Sequence, residues 1–156
     1  MVGTFATDGA LGFDPFPFLR ALHEAGSGAV VIGQVAGIMH GSVELTGDLD
    51  LLWDGTPAQA HALREALTAT GCADLPDLNR PQADYQVMGA SGDLCTPDLL
   101  WGDMDVAPCL VRAVNAHDPA GFVILYADLD DLILMRRSLG RPKDHRRADE
   151  LEVLRP

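Results

Sequence analysis

Asp48 and Asp50 stand two residues apart in the run Thr46-Gly47-Asp48-Leu49-Asp50-Leu51-Leu52. An extended strand places residues two apart on one face, so both carboxylates project together while Leu49 and Leu51 turn into a core. Two like charges held within a few ångströms repel unless a cation or a proton lies between them, and hard carboxylate oxygens suit Mg²⁺ or Mn²⁺. The pattern therefore predicts a divalent-cation clamp. An acidic pair at the start of a strand is also what a solvated edge looks like. What sets this one apart is the apolar run Val30-Val31-Ile32 ending at Gly33, thirteen residues before it once Gln34 is passed.

Positioning such a pair requires strands backed by helices, and the sequence supplies both. Asp14-Pro15 opens a helix that Gly26 stops near Ala25, Ala29 to Ile32 is short and apolar enough for a buried strand, and Gln34 to about His40 reads as a short helix. Asp48 to Trp53 is the next strand, and Thr56-Pro57 opens a helix that Gly71 closes. Tyr85 to Met88 and Asp93 to Thr96 form a hairpin around Gly89-Ala90-Ser91-Gly92. Residues 103 to 114 are ambiguous, with a helix starting near Pro108. Phe122 to Tyr126 reads as a strand, Leu129 to about Ser138 as a helix capped by Asp128 and stopped by Gly140, and Pro142 to about Leu154 as a last helix. The expected architecture is α+β (mixed α/β), a small mixed sheet of about five strands flanked by helices. Residues 1–12 read as a flexible leader and 13–156 as a single domain.

At 156 residues the chain is long enough to bury one real core. No apolar run approaches the roughly 20 residues that span a bilayer, and no basic-then-apolar segment opens the chain, so no membrane and a cytoplasmic location are the expectation. Cys72, Cys95 and Cys109 are odd in number and widely spaced, which fits neither a disulfide framework nor a metal knuckle. The net charge of −12 argues against tight sequence-independent binding of nucleic acid. Yet Arg136, Arg137, Arg141, Lys143, Arg146, Arg147 and Arg155 put seven of the 11 basic residues near the C-terminus, where a local anion site fits an acidic whole. The same cluster also suits helix-dipole compensation and ion pairs with Asp130, Asp131, Asp144 and Asp149.

These motifs resemble the nucleotidyltransferase-fold superfamily, which includes DNA polymerase beta, the kanamycin nucleotidyltransferases and the minimal prokaryotic members. That pattern is an apolar residue, a glycine pair or Gly-Ser, roughly nine to thirteen residues, then Asp-x-Asp on a strand. Here Ile32-Gly33-Gln34 and Asp48-Leu49-Asp50 carry it. His40-Gly41-Ser42, Thr46-Gly47-Asp48 and the closing Arg136-Arg137-Ser138-Leu139-Gly140-Arg141-Pro142-Lys143-Asp144 are most similar to the abortive-infection (AbiEii-like) toxin group.

The resemblance implies a protein that binds a nucleoside triphosphate with Mg²⁺ or Mn²⁺ and transfers its nucleotidyl group to a hydroxyl of tRNA or other RNA, a protein or a small molecule. It also implies an antitoxin partner. Asp48 and Asp50 would hold the cations. The third carboxylate of the superfamily belongs on the neighbouring strand; its nearest position here is Cys95, with Asp93 two residues away on the same face as the substitute and Asp98 behind it. Nucleotidyl transfer must neutralise a polyanion and acidify a hydroxyl. In that chemistry Gly33 and Gln34 start the helix that meets the phosphates, Ser42 and Thr46 add hydroxyls, and Arg141 and Lys143 reach the departing pyrophosphate. The alternative is a catalytically degenerate relative that binds nucleotide or protein on the same scaffold, which Gln34, Glu44 and Cys95 favour. His40 is expected either to contact substrate or to bond a nearby carbonyl.

Overall fold

The computed structural model describes residues 12–99 and 101–156; most of the expected leader, residues 1–11, lies outside the described residues. Among the described residues there are six helices and six strands. They run α1 (Phe16–Glu24), β1 (Val30–Ile32), α2 (Gly33–Met39), β2 (Asp50–Leu52), α3 (Pro57–Ala69), β3 (Gln82–Val87), β4 (Ala90–Cys95), α4 (Ala107–Val111), β5 (Val114–His117), β6 (Val123–Tyr126), α5 (Leu129–Leu139) and α6 (Pro142–Glu152). The strands form one mixed sheet in the order β3-β4-β2-β1-β6-β5. The pairs β1/β2, β3/β4 and β5/β6 are antiparallel, whereas β2/β4 and β1/β6 are parallel. No helix among the described residues is long and apolar enough to cross a membrane.

Local chemistry explains most of the boundaries. Thr56 caps α3 by accepting from the Gln59 N–H at 3.3 Å, and Ala60, Leu63, Ala66 and Leu67 recur at helical spacing on its buried side. Asp128 caps α5 by accepting from the Asp130 N–H, and Gly140 ends it. Every residue of β1 is buried, as its apolar run requires, and Leu51 and Leu52 of β2 are fully buried. Phe18 of α1 meets the Tyr85 ring with centroids 5.1 Å apart, and α1 packs on α3 and β6. α5 packs on α6 and α2 over the other face, where its residues and Asp93 line one cleft. Helices thus cover both faces of the sheet.

Boundaries differ from the sequence expectation at β2, at the β3–β4 hairpin and after Pro108. β2 begins at Asp50, not Asp48, because its partner β1 is three residues long and reaches only as far as the pair Ile32 and Asp50. On the β4 side contact runs further in both directions, through a bridge between Asp48 and Ser91 and the Trp53 N–H donating to Cys95 O at 2.9 Å. The β3–β4 hairpin turns at Met88-Gly89, so Ala90, Ser91 and Gly92 are strand. Gly92 marks a close approach of strands: a Cβ there would lie 2.1 Å from Leu49 O. Finally, the ambiguous stretch around Pro108 holds the short α4, and β5 follows as a sixth strand paired with β6. Smaller shifts of a residue or two occur at α2, β1, β6 and α6.

Candidate active site

The strand registers assemble a row of carboxylates. Leu51 pairs with Leu94 in the parallel β2/β4 ladder, which sets Asp50 beside Asp93, and Asp84 pairs with Asp93 across the antiparallel β3/β4 ladder. Asp50 Oδ1 accepts the Asp93 backbone N–H at 3.0 Å. Asp48 lies just before β2 and joins Asp50, Asp84 and Asp93 in the wall of one polar chamber of about 540 Å³. Leu49 and Leu51 are fully buried, as the alternation requires.

The environment disfavours charge on Asp50 and Asp93. Burial foremost pushes the Asp50 carboxyl above its ordinary range; the Asp93 N–H opposes this, the Asp48 charge adds to it and Arg136 opposes it. Asp93 is pushed up to about 6, by burial first, then by its hydrogen bond to Asp84, with Gln82 opposing and the charges of Asp50 and Asp84 adding. Burial and the charge of Asp93 push the Cys95 thiol up to about 12, so Cys95 is a neutral thiol and does not stand in for a carboxylate. Tyr85, raised by burial and by the same acids, keeps its proton and donates it to Leu49 O at 2.5 Å.

A stability consequence follows from Asp93. Between its ordinary value of 3.8 and about 6 the folded chain holds a proton that the unfolded chain has lost. Stability therefore falls as pH rises from about 4 to about 6. Urea midpoints are expected to drop across that interval and the Asp93→Asn variant to flatten the drop; a wild-type midpoint that climbs with the same slope in both proteins contradicts the assignment.

Opposite the acids stands a basic wall organised by Asp144. This side chain is fully buried and accepts from Arg136 at 3.1 Å and from Arg141 at 2.5 and 3.2 Å. Burial alone would raise Asp144, but the hydrogen bonds from Arg141 and Arg136 outweigh it and hold the carboxyl below its ordinary range. Burial likewise lowers Arg136, which Asp144 partly restores. Arg136 and Arg141 line the polar chamber with Lys143 and Arg147, and Lys143 makes no ion pair among the described residues. Arg147 leans on Glu44 at 3.6 Å.

The expected phosphate contacts divide. Gly33 opens α2 with φ +66°, and a Cβ there would sit 3.1 Å from Asp50 Oδ2, so glycine keeps that oxygen uncovered. Thr46 lines the polar chamber and accepts from the Asp48 N–H at 3.3 Å. Gln34 also lines it, but its amide nitrogen donates to Ser42 Oγ at 2.9 Å and Glu44 O at 2.7 Å. Gln34 and Ser42 thereby fasten the loop between α2 and β2, and Ser42 does not line the chamber. His40 bonds Ala127 O at 2.8 Å and packs on Tyr126, the structural of its two expected roles. Asp98 is outside both chambers.

Sequence reasoning missed Asp84 and the individual importance of Arg136. With β3 started at Tyr85, Asp84 fell just outside the strand; extending the alternation of Gln82-Ala83-Asp84-Tyr85 with the observed hairpin register sets it against Asp93. It also missed a second chamber of about 430 Å³, with one apolar wall, that shares Asp50, Asp93, Arg136 and Arg141 with the first. No three His, Cys, Asp or Glu side chains among the described residues form a ready-made metal cage. No protein-family model matches the chain and no curated protein matches it significantly, so its own geometry carries the functional reading.

Proposed function

We propose that this chain is a metal-dependent nucleotidyltransferase of the nucleotidyltransferase fold, moving a nucleotidyl group from a nucleoside triphosphate to a hydroxyl. The observation that supports it most is the convergence on one cleft of four stretches apart in sequence: Gly33, the pair Asp48 and Asp50, Asp93, and the basic wall of Arg136, Arg141 and Lys143. The donor set suits Mg²⁺ or Mn²⁺, since hard carboxylate oxygens whose mutual repulsion is unrelieved face the chamber, and Mg²⁺ commonly takes one or two carboxylates with phosphate oxygens and water completing its shell. Bound there, the ion would neutralise polyphosphate charge and acidify the entering hydroxyl.

The chain's own residues do the rest. The Asp93 N–H fixes Asp50 by one oxygen, and Gly33 leaves the other accessible. Arg141, held by Asp144, and Lys143 bind the β and γ phosphates and stabilise the leaving pyrophosphate. In the cell the acceptor would be tRNA, a protein or a small molecule, and a toxin acting in the cytoplasm beside an antitoxin is the setting this reading favours. A second reading, a degenerate nucleotide- or protein-binding relative, is favoured by one observation: the Gln34 amide that would approach the phosphates is already committed to Ser42 and Glu44.

Incubation with α-labelled triphosphates, Mg²⁺ and three acceptor pools (bulk tRNA, protein, small hydroxyl compounds) tests the enzyme. Transfer to one pool is expected to fall at least about 100-fold in Asp50→Ala, beyond what loss of an outer-shell partner costs a metal site. Transfer insensitive to that change contradicts the mechanism, and absence of transfer to any pool with triphosphate still bound selects the degenerate reading.

A further inference from the structure

The second chamber shares Arg136 and Arg141 with the phosphate side but is apolar elsewhere. Its floor is Ile32 and Cys95 beside Asp50 and Asp93, and its walls include Leu99, Trp101, Leu132, Met135 and Leu139. Lys143 and Arg147 line only the polar chamber, while Asp50, Asp93, Arg136 and Arg141 line both. A displacement at phosphorus proceeds in line, with the entering oxygen opposite the leaving group. Pyrophosphate drawn from Arg141 toward Lys143, which lines the polar chamber alone, leaves the opposite, apolar side for the entering hydroxyl.

Resting on the nucleotidyl-transfer reading, we propose that this chamber binds the body of the acceptor, and that the acceptor is a small, uncharged, mostly apolar alcohol or phenol. The lining supplies apolar contact, and the net charge of −12 opposes a polyanionic acceptor. Trp101 is only 9 % exposed, so its ring forms a fixed apolar part of this wall. In the transfer, the acceptor oxygen bonds to the α-phosphorus while the bond from that phosphorus to the bridging oxygen breaks. Pyrophosphate leaves with the electron pair, and the hydroxyl proton passes to solvent.

The test measures binding of 2-naphthol to the full chain by fluorescence, beside equilibrium dialysis of Mn²⁺ with a non-hydrolysable triphosphate. Filling the chamber with Leu139→Trp, or with Leu99→Trp should the first fail to fold, is expected to weaken 2-naphthol at least tenfold and to change triphosphate retention less than twofold. Lys143→Ala, at a residue that lines only the polar chamber, is expected to do the reverse, and 2-naphthol to accept label from an α-labelled triphosphate. Displacement of 2-naphthol by nucleosides alone overturns the proposal, because the chamber then belongs to the donor's base. Triphosphate binding without 2-naphthol binding overturns it and leaves the nucleotidyl-transfer reading standing; 2-naphthol binding without triphosphate retention overturns that reading and the acceptor role with it.

Discussion

Gly92→Ala is expected to destabilise the protein by at least about 3 kcal/mol, at or beyond the top of the usual range for overpacking a core. The new Cβ would lie 2.1 Å from Leu49 O and 3.0 Å from Asp50 Oδ1. The first contact is with backbone and cannot be relieved by a rotamer; it forces β2 and β4 apart where the Leu49 N–H donates to Ser91 O at 2.8 Å. The second moves the carboxylate that accepts from the Asp93 N–H. Stability and metal-triphosphate binding should therefore fail together. Gly47→Ala is the control: nothing lies within 4 Å of its Cβ, and a change within about 0.5 kcal/mol is expected. Urea unfolding of the two variants checks both, and equal midpoints would contradict the strand approach.

Asp144→Ala is expected to cost about 3–5 kcal/mol, the range for removing one partner of a buried ion pair. Asp144 is fully buried and the Arg136 side chain is 15 % exposed, so the variant strands a desolvated guanidinium beside Arg141 and Arg147. By contrast, the Arg20–Glu24 pair on α1 has both side chains more than half exposed, at 56 and 63 %, and its loss should be worth no more than about 0.5 kcal/mol. The pH sign for Asp144 is opposite to that of Asp93. Its folded carboxyl lies below the ordinary 3.8, so its contribution is present above that value and is lost as pH falls through the lower folded one. Acid unfolding of the wild type and of Asp144→Ala, followed by circular dichroism, reads this: the difference in stability between them is expected to shrink as pH falls below about 4, and a constant difference contradicts it.

The sequence made the ends of the site legible and left its middle obscure. Asp48 and Asp50 could be placed because period-two alternation with Leu49 and Leu51 decides which way a side chain faces wherever the strand is held. Gly33 could be placed because a buried apolar strand stopped there. The helices α3, α5 and α6 announced themselves through caps and prolines. What stayed hidden depends on pairing rather than on local pattern. Ala90-Ser91-Gly92 looks like turn by composition, yet its small side chains are what admit β2 so closely. Asp84 became visible only once the hairpin register was known, since a two-residue slip decides whether it faces Asp93. The β5 strand is short, lies at an edge and follows a proline-containing helix of five residues, so no sustained period marks it. Arg136 belonged to a cluster for which an anion site and plain ion pairing were equally apt; both hold, because Asp144 binds Arg136 and Arg141 and presents them to the cleft.

Equilibrium dialysis of the full chain against Mn²⁺ and a non-hydrolysable nucleoside triphosphate tests most directly whether the carboxylate row and the basic wall act as one site. Retention of metal and triphosphate together by the wild type, and its loss in an Asp50→Asn variant that keeps the wild-type circular dichroism spectrum, is the predicted result. Retention by neither protein, or equal retention by both, would contradict it.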